Sequence, residues 1–328
     1  MMTLRQGIFR FLARGTALVL LATIAAACSG GSTTPTTAVN GITPSSLGSP
    51  TAKLTYKFRT INNVADLTFN QLLGISRSKQ IVGYYGSGAA GHPNKGYRVS
   101  PPFKGHNFSA ENFPRSRQTQ VTAINNLDDT AGFWVDRKQV NHGFIHWNGQ
   151  FSTYTWPGSS ITQILGLNNS GQAVGFYTQS ATNFGFQLDR VTKQFTPIAP
   201  PGASNVTATS INNAGEVVGF YTSGSETIGF LKVGSGYTNL SYPGSTITMP
   251  FGINNHGDIA GSYVDTSGAT HGFLMNAATS SWSSFDDPNG VGTTTINGLN
   301  DRRDMVGFYT DSSGNTDGML MVLVPVRH

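Results

Sequence analysis

The sequence predicts an all-β fold, a six-bladed β-propeller of four-stranded antiparallel blades closed by an N-terminal strand, and three observations lead there. The first is a sixfold repeat. Its anchor runs from Gly166 to Tyr177 and returns at Ser210 to Tyr221 and at Gly252 to Tyr263, with looser copies from Gly74 to Tyr85, Ala123 to Trp134 and Gly298 to Tyr309. The second glycines of these anchors, Gly83, Gly132, Gly175, Gly219, Gly261 and Gly307, are spaced by 49, 43, 44, 42 and 46 residues, the period of propeller blades and similar arrays. The second observation is hairpin chemistry within each anchor: an apolar or Thr-rich run, an Asn-Asn-x-Gly type turn, then a run of Val, Gly, Phe and Tyr. Asn and Gly tolerate the positive φ of tight turns, and β-branched and aromatic residues suit a pleated surface. The third is that the last repeat stops short of a fourth run, while Leu54 to Thr60 supplies one ahead of the first anchor. Pairing the two would complete six sheets and leave no exposed edge.

Residues 1–28 read as a lipoprotein signal peptide. Arg5, Arg10 and Arg14 precede an apolar run from Thr16 to Ala27 that is too short for a membrane span. Ala25-Ala26-Ala27-Cys28 has the form of a lipobox in which the Cys28 thiol takes a diacylglyceryl group, although Ala stands where Leu is usual. The alternative is an ordinary signal peptide that leaves Cys28 as a free thiol. Ser29, in place of Asp, fits sorting to an outer membrane. Residues 29–52 hold no charged or aromatic residue and are rich in Thr, Ser, Gly and Pro, the composition of a flexible tether. For its 24 residues the mean reach is roughly 27 Å. With Cys28 the only cysteine, no intramolecular disulfide is available.

Residues 53–328 form the repeat domain. After each anchor hairpin comes a third run, as in His142-Gly143-Phe144-Ile145, Phe184-Gly185-Phe186 and His271-Gly272-Phe273-Leu274, and then a fourth, as at Phe151 to Trp156, Gln194 to Ile198, Tyr237 to Tyr242 and Trp282 to Phe285. Four short strands per period leave no room for an ordinary helix. Forty glycines and a charged fraction of 11% suit many tight turns and sheets buried on both faces.

These third runs resemble the bacterial HAF family of probable extracellular repeats, named for a His-Ala-Phe triplet. The chain carries His142-Gly143-Phe144 and His271-Gly272-Phe273, with Phe184-Gly185-Phe186 and Ile228-Gly229-Phe230 as variants, so Gly replaces Ala and His is often absent. The resemblance extends from about Leu54 to Val324. It implies a secreted bacterial repeat protein of propeller-like form, and it carries no catalytic residues to transfer.

The formal charge of +5 falls to +2 once the three signal arginines are removed. From Lys53 to Arg117 ten basic residues face two acidic ones, and the remaining repeats hold eight basic against fourteen acidic. Arg77, Lys79, Arg98 and Arg115 in that basic stretch are candidates for binding an anionic polysaccharide or lipid headgroup; solvated loop charges are the plainer reading. Nothing in the charge pattern points to nucleic acid, and a monomer is expected.

No HExxH helix, GxSxG elbow, phosphate-cradling loop or cysteine pair occurs, so no catalytic residue and no metal site is assigned. The loops at Asp265-Thr266-Ser267-Gly268 and Asp311-Ser312-Ser313-Gly314 offer oxygens to Ca²⁺ but lack the further carboxylates of a calcium loop, and Asx-turns explain them more simply. Asp128-Asp129 and Asp286-Asp287 are read as turn punctuation rather than as the carboxylate pair of a glycosidase. Tyr85, Trp134, Tyr177, Tyr221, Tyr263 and Tyr309 recur two residues after the second glycine, where packing between blades outranks sugar stacking. Asn70, Thr119, Thr162, Thr248 and Thr294, with Val206 in the fourth repeat, lie four residues before each anchor; together with Gln71, Gln120 and Gln163 they are the candidate lining of a central channel. The leading functional expectation is a lipid-anchored binding module for an envelope polysaccharide or protein. An assembly scaffold, and a hydrolase or lyase with its site at the channel mouth, are the alternatives.

Overall fold

The computed structural model describes residues 54–325, so the signal peptide with Cys28 and the tether of residues 29–52 lie outside the described residues. Among the described residues the only helical element is a 3-10 turn at Gly105–Asn107. Leu54–Thr60 is β1. The first repeat unit holds β2 (Asn70–Ile75), β3 (Ile81–Tyr85), β4 (Lys95–Val99) and β5 (Phe108–Ala110), and the second β6 (Gln118–Ile124), β7 (Thr130–Val135), β8 (Asn141–Trp147) and β9 (Gln150–Tyr154). The third holds β10 (Ile161–Leu167), β11 (Gln172–Gln179), β12 (Thr182–Asp189) and β13 (Phe195–Ile198), and the fourth β14 (Ser204–Ile211), β15 (Val217–Ser223), β16 (Glu226–Val233) and β17 (Gly236–Leu240). The fifth holds β18 (Ile247–Ile253), β19 (Ile259–Val264), β20 (Thr270–Asn276) and β21 (Ser281–Phe285), and the sixth β22 (Thr294–Leu299), β23 (Met305–Thr310) and β24 (Thr316–Pro325).

Each unit is an antiparallel meander. Single parallel bridges, Ile161 with Asn141 and Thr227 with Ile247, link units two to three and four to five into eight-stranded sheets. In the sixth unit β1 pairs antiparallel with β24 from Leu54 opposite Pro325 to Thr60 opposite Met319, so β1 is the fourth strand of that sheet. The first strands touch in cyclic order: β2 lies against β6, β6 against β10, β10 against β14, β14 against β18, β18 against β22, and β22 against β2.

The core is divided among the junctions between units. Phe144, Phe186, Phe230 and Phe273, which follow the glycine of their third runs, are fully enclosed. Each sits in an apolar cluster drawn from two neighbouring units, as Phe144 does with Val82 and Val121, and Phe230 with Val174 and Ile198. Burial on both faces explains why these strands read as apolar on both sides rather than as an alternation.

The first strand of every unit carries a β-bulge at the same place, at Leu73, Thr122, Leu165, Thr209, Phe251 and Asn297. The second glycine of each anchor faces that irregularity. A Cβ on Gly83, Gly132, Gly175, Gly219, Gly261 or Gly307 would fall on the carbonyl oxygen of Gln71, Gln120, Gln163, Thr207, Met249 or Thr295 respectively, so no larger residue fits. The residue after the bulge is also small where adjacent first strands close on one another: a Cβ on Gly166 would stand 2.8 Å from Ser210 Cα of the next unit.

Candidate binding site within the ring of asparagine turns

Five of the turns between first and second strands, with the end of β2 from the first unit, converge on one cavity of about 90 Å³, lined by residues from all six units. Two hydrogen-bond ladders hold these turns together. The inner one uses the first Asn of each pair, which is buried. Asn168 Oδ1 accepts the backbone N–H groups of Ser170 and Gln172 and so closes its own turn, while its Nδ2 donates to the Asn212 carbonyl of the next unit at 3.1 Å. Asn125, Asn212, Asn254 and Asn300 do the same, passing their amide protons to Asn168, Asn254, Asn300 and Ser76 in turn. The outer ladder uses the second residue. The Arg77 N–H donates to Asn126 Oδ1, Asn126 to Asn169, Asn169 to Asn213, Asn213 to Asn255 and Asn255 to Asp301, at 2.8 to 3.0 Å. Each ladder is interrupted at one junction because the first repeat has Ser76-Arg77 in place of Asn-Asn. At the junction between units six and one, Lys79 adds an ion pair to buried Asp304 at 3.2 Å.

With their oxygens used in the outer ladder, Asn169 and Asn213 keep their NH₂ ends for a ligand. Asp301 accepts from both the backbone and the side chain of Asn255. The cavity therefore presents amide donors and one carboxylate, and the exposed Arg77 stands outside its lining, in the turn that follows the first unit's contribution of Leu73, Gly74 and Ile75.

The sequence-derived candidates are spread over several places. Gln163 lines a second, deeper chamber, whereas Gln71 and Gln120 are buried at the same level of their strands and Gln71 accepts a hydrogen bond from the Tyr84 hydroxyl at 2.8 Å. Thr119, Thr162, Thr248 and Thr294 brace the preceding connection: their hydroxyls accept the backbone N–H of Phe113, Trp156, Tyr242 and Asp287. Asn70 does this with both ends, accepting from the Asn63 N–H and donating to the Asp66 carbonyl. These five residues line neither the asparagine cavity nor the deeper chamber. The four basic candidates also separate. Arg98 makes a two-pronged pair with Glu111, Lys79 pairs with Asp304, Arg77 stands at the asparagine turns, and Arg115 lies in the connection to β6 at the other end of the first strands. Burial would raise the Glu111 carboxyl, but hydrogen bonds from Arg98, His146 and Thr130 and the charge of Arg98 outweigh it and hold it below the ordinary range.

The recurring aromatics pack against partners outside the anchors. Trp134 stacks on Phe113 at 4.3 Å, Tyr177 on Trp156 at 3.8 Å and Tyr263 on Tyr242 at 3.6 Å. The histidines of the third runs staple the loop before them: His142 meets Asp136, and His271 lies between Asp265 at 3.2 Å and Asp286 at 2.8 Å. Asp265 Oδ1 also accepts from the Ser267 and Ala269 N–H groups, and Asp311 Oδ1 from Ser313 and Asn315, the hydrogen bonds of Asx-turns. Among the described residues no group of three or more His, Cys, Asp or Glu is placed to hold a metal ion, and no helix is long and apolar enough to cross a membrane.

Four-stranded antiparallel sheets in cyclic contact around a common cavity define the class of fold, and solved structures share it. The chain is similar to TolB from Acinetobacter baumannii, at a TM-score of 0.54 and 10% identity over 75% of this chain and 66% of that one. A protein assigned as TolB from Agrobacterium tumefaciens gives a TM-score of 0.56 at 10% identity, over 84% of this chain and 100% of that one. A mutant of AofleA from Arthrobotrys oligospora gives 0.51 at 11% identity, over 84% and 91%. At these identities the likeness is one of fold: all-β, with TolB-like propellers as neighbours. No protein-family description matches the sequence, and no curated protein does.

Proposed function

We propose that the chain is a non-catalytic recognition module of the bacterial cell envelope: a closed six-bladed propeller with β1 completing the sixth blade, related to the HAF repeats and held at an outer membrane by a lipid on Cys28 through the tether of residues 29–52. The cyclic contacts of the first strands and the pairing of β1 along β24 support the closed ring. Its partner is an envelope polysaccharide or protein that docks on the face carrying the asparagine turns. The observation that carries this reading is the convergence of five asparagine turns and the end of β2 on one concave, polar cavity, with the exposed Arg77 in the adjoining turn of the first unit. Concave sites with a few convergent polar groups are where ligands bind.

A glycan array and an envelope pull-down with the mature chain test it, using Arg77→Glu on the turn face and Arg115→Glu at the opposite end. Binding that is lost in Arg77→Glu and kept in Arg115→Glu is the expected result. The reverse pattern moves recognition to the other face, and no binding from either library removes the binding-module reading.

A further inference from the structure

The space beneath the asparagine turns narrows to the deeper chamber, of about 40 Å³. Phe176, Phe220 and Phe251 form much of its wall, and no charged residue lines it. Two amide side chains from different units do: Gln163, 2% exposed, and Asn297, 6% exposed. Gln163 Oε1 and Asn297 Oδ1 are buried and accept no hydrogen bond from the protein. The Gln163 amide has a defined orientation, because its Nε2 donates to Asn141 Oδ1 at 3.4 Å and leaves the oxygen as the free end. Thr122 and Thr209, also in the lining, give their hydroxyl protons to the Ile164 and Pro250 carbonyls at 2.8 Å and so offer lone pairs alone.

Two amide oxygens in this lining therefore lack a donor. An unpaired buried acceptor costs about 1–3 kcal/mol, and two of them in one small space call for a donor or a positive charge. The entrance has the matching sign. The six turns above the chamber carry four basic residues, Arg77, Lys79, Arg302 and Arg303, against six acidic ones, and Asp301 stands in the lining of the entrance. A divalent ion would want carboxylate ligands, and the chamber has none. Its volume accommodates a small ion with a water or two, since one water needs roughly 10–15 Å³.

We propose that this chamber binds a monovalent cation of potassium or ammonium size, held by Gln163 Oε1 and Asn297 Oδ1 and admitted past Asp301. Free ions and the primary ammonium at the tip of an inserted partner chain share this chemistry. The inference rests on the chamber alone, so its outcome is independent of the glycan and pull-down screen.

Thermal melting and calorimetric titration of the full chain in nonionic detergent, at constant ionic strength, test it with the chlorides of potassium, ammonium, methylammonium and tetramethylammonium. The expected result is a saturable rise in Tm with one or more of the first three and none with tetramethylammonium, which is too large to enter. Saturation by potassium and ammonium identifies a free-ion site; saturation by methylammonium alone identifies a site for a chain tip. Asn297→Leu is close in size and removes an unpaired acceptor, so it is expected to fold with an undiminished Tm in tetramethylammonium chloride; Gln163→Leu also removes the donor to Asn141 Oδ1 and is expected to melt somewhat lower there while still folding. Each should weaken binding roughly tenfold to a hundredfold, the worth of one hydrogen bond to a charged group. Equal melting in all four salts, or affinity unchanged in both variants, would overturn the proposal and leave water as the occupant.

Discussion

Asp287 shows how far one enclosed side chain can work against its own charge. It is 3% exposed, its Oδ1 accepts the Asn289 N–H at 2.9 Å, and its Oδ2 is buried without a partner. Burial pushes the carboxyl above its ordinary value, and the charge of Asp317 adds to the effect. A carboxyl raised in the folded state contributes stability below its unfolded value, near 4, that is lost as pH rises through the folded value. Asp287→Asn keeps the hydrogen bond from Asn289 and cannot ionise, so it is expected to raise Tm at pH 8 and to change it little near pH 3, as melting curves across that range would show. His271 has the complementary arrangement. Its hydrogen bond to Asp286 raises it, burial opposes this, and the charge of Asp286 and the contact with Asp265 raise it further. Burial would raise Asp265, but hydrogen bonds from Ser267, Ala269 and His271 bring it down to about 2. The stability from protonated His271 is complete below about pH 6.5 and disappears as pH rises through the raised value. His271→Gln is expected to lower Tm at pH 5.5 and to approach the natural chain by pH 9. These contacts were not legible in the sequence, since Asp286 and Asp265 flank His271 only after the strands have paired.

At the scale of the element, the turn between first and second strands is the unit that repeats. The sequence announced the turn through Asn-Asn-x-Gly, and the hairpins fall where that pattern places them. It did not announce that the first Asn of each pair reaches into the neighbouring unit, because a bond across 42 to 46 residues has no local pattern. The two residues of the pair should differ sharply on substitution. Asn168→Ala leaves the part-buried N–H of Gln172 and the Asn212 carbonyl without their side-chain partner and is expected to cost about 2 kcal/mol. Asn169→Ala removes the one bond its Oδ1 accepts at the rim, from the Asn126 N–H, and should cost about 0.5–1.5 kcal/mol. Urea unfolding of the two variants would show the order, and equal losses would remove the inner ladder from this account. The bulge was hidden for a similar reason. No one residue type is common to Leu73, Thr122, Leu165, Thr209, Phe251 and Asn297, so the one available signal was the small residue that follows each, Gly in four units and Ala123 and Ser210 in the others.

For the whole molecule, the pairing of β1 with β24 joins the two ends of the described chain in one sheet, and Tyr56 packs edge-on against Phe285 of the fifth unit at 5.1 Å. Without β1 the outer edge of β24 would be a long unpaired strand, the template on which chains associate. A chain beginning at Ile61 is expected to form dimers or larger species in size-exclusion chromatography, where the natural chain with β1 runs smaller. The sequence by itself determined the strand content, the sixfold period, the turn positions and the place of the missing fourth strand, because each depends on residues close together or on a simple repeat. Only the tertiary structure decided which polar residues meet. It turned Thr119, Thr162, Thr248 and Thr294 to the preceding connections, drew Lys79 and Arg98 into ion pairs, and left the oxygens of Gln163 and Asn297 unpaired in side chains that line a shared chamber. The bulges and the rotation of one unit against the next set where those side chains point, and neither is written in the spacing of residues along the chain.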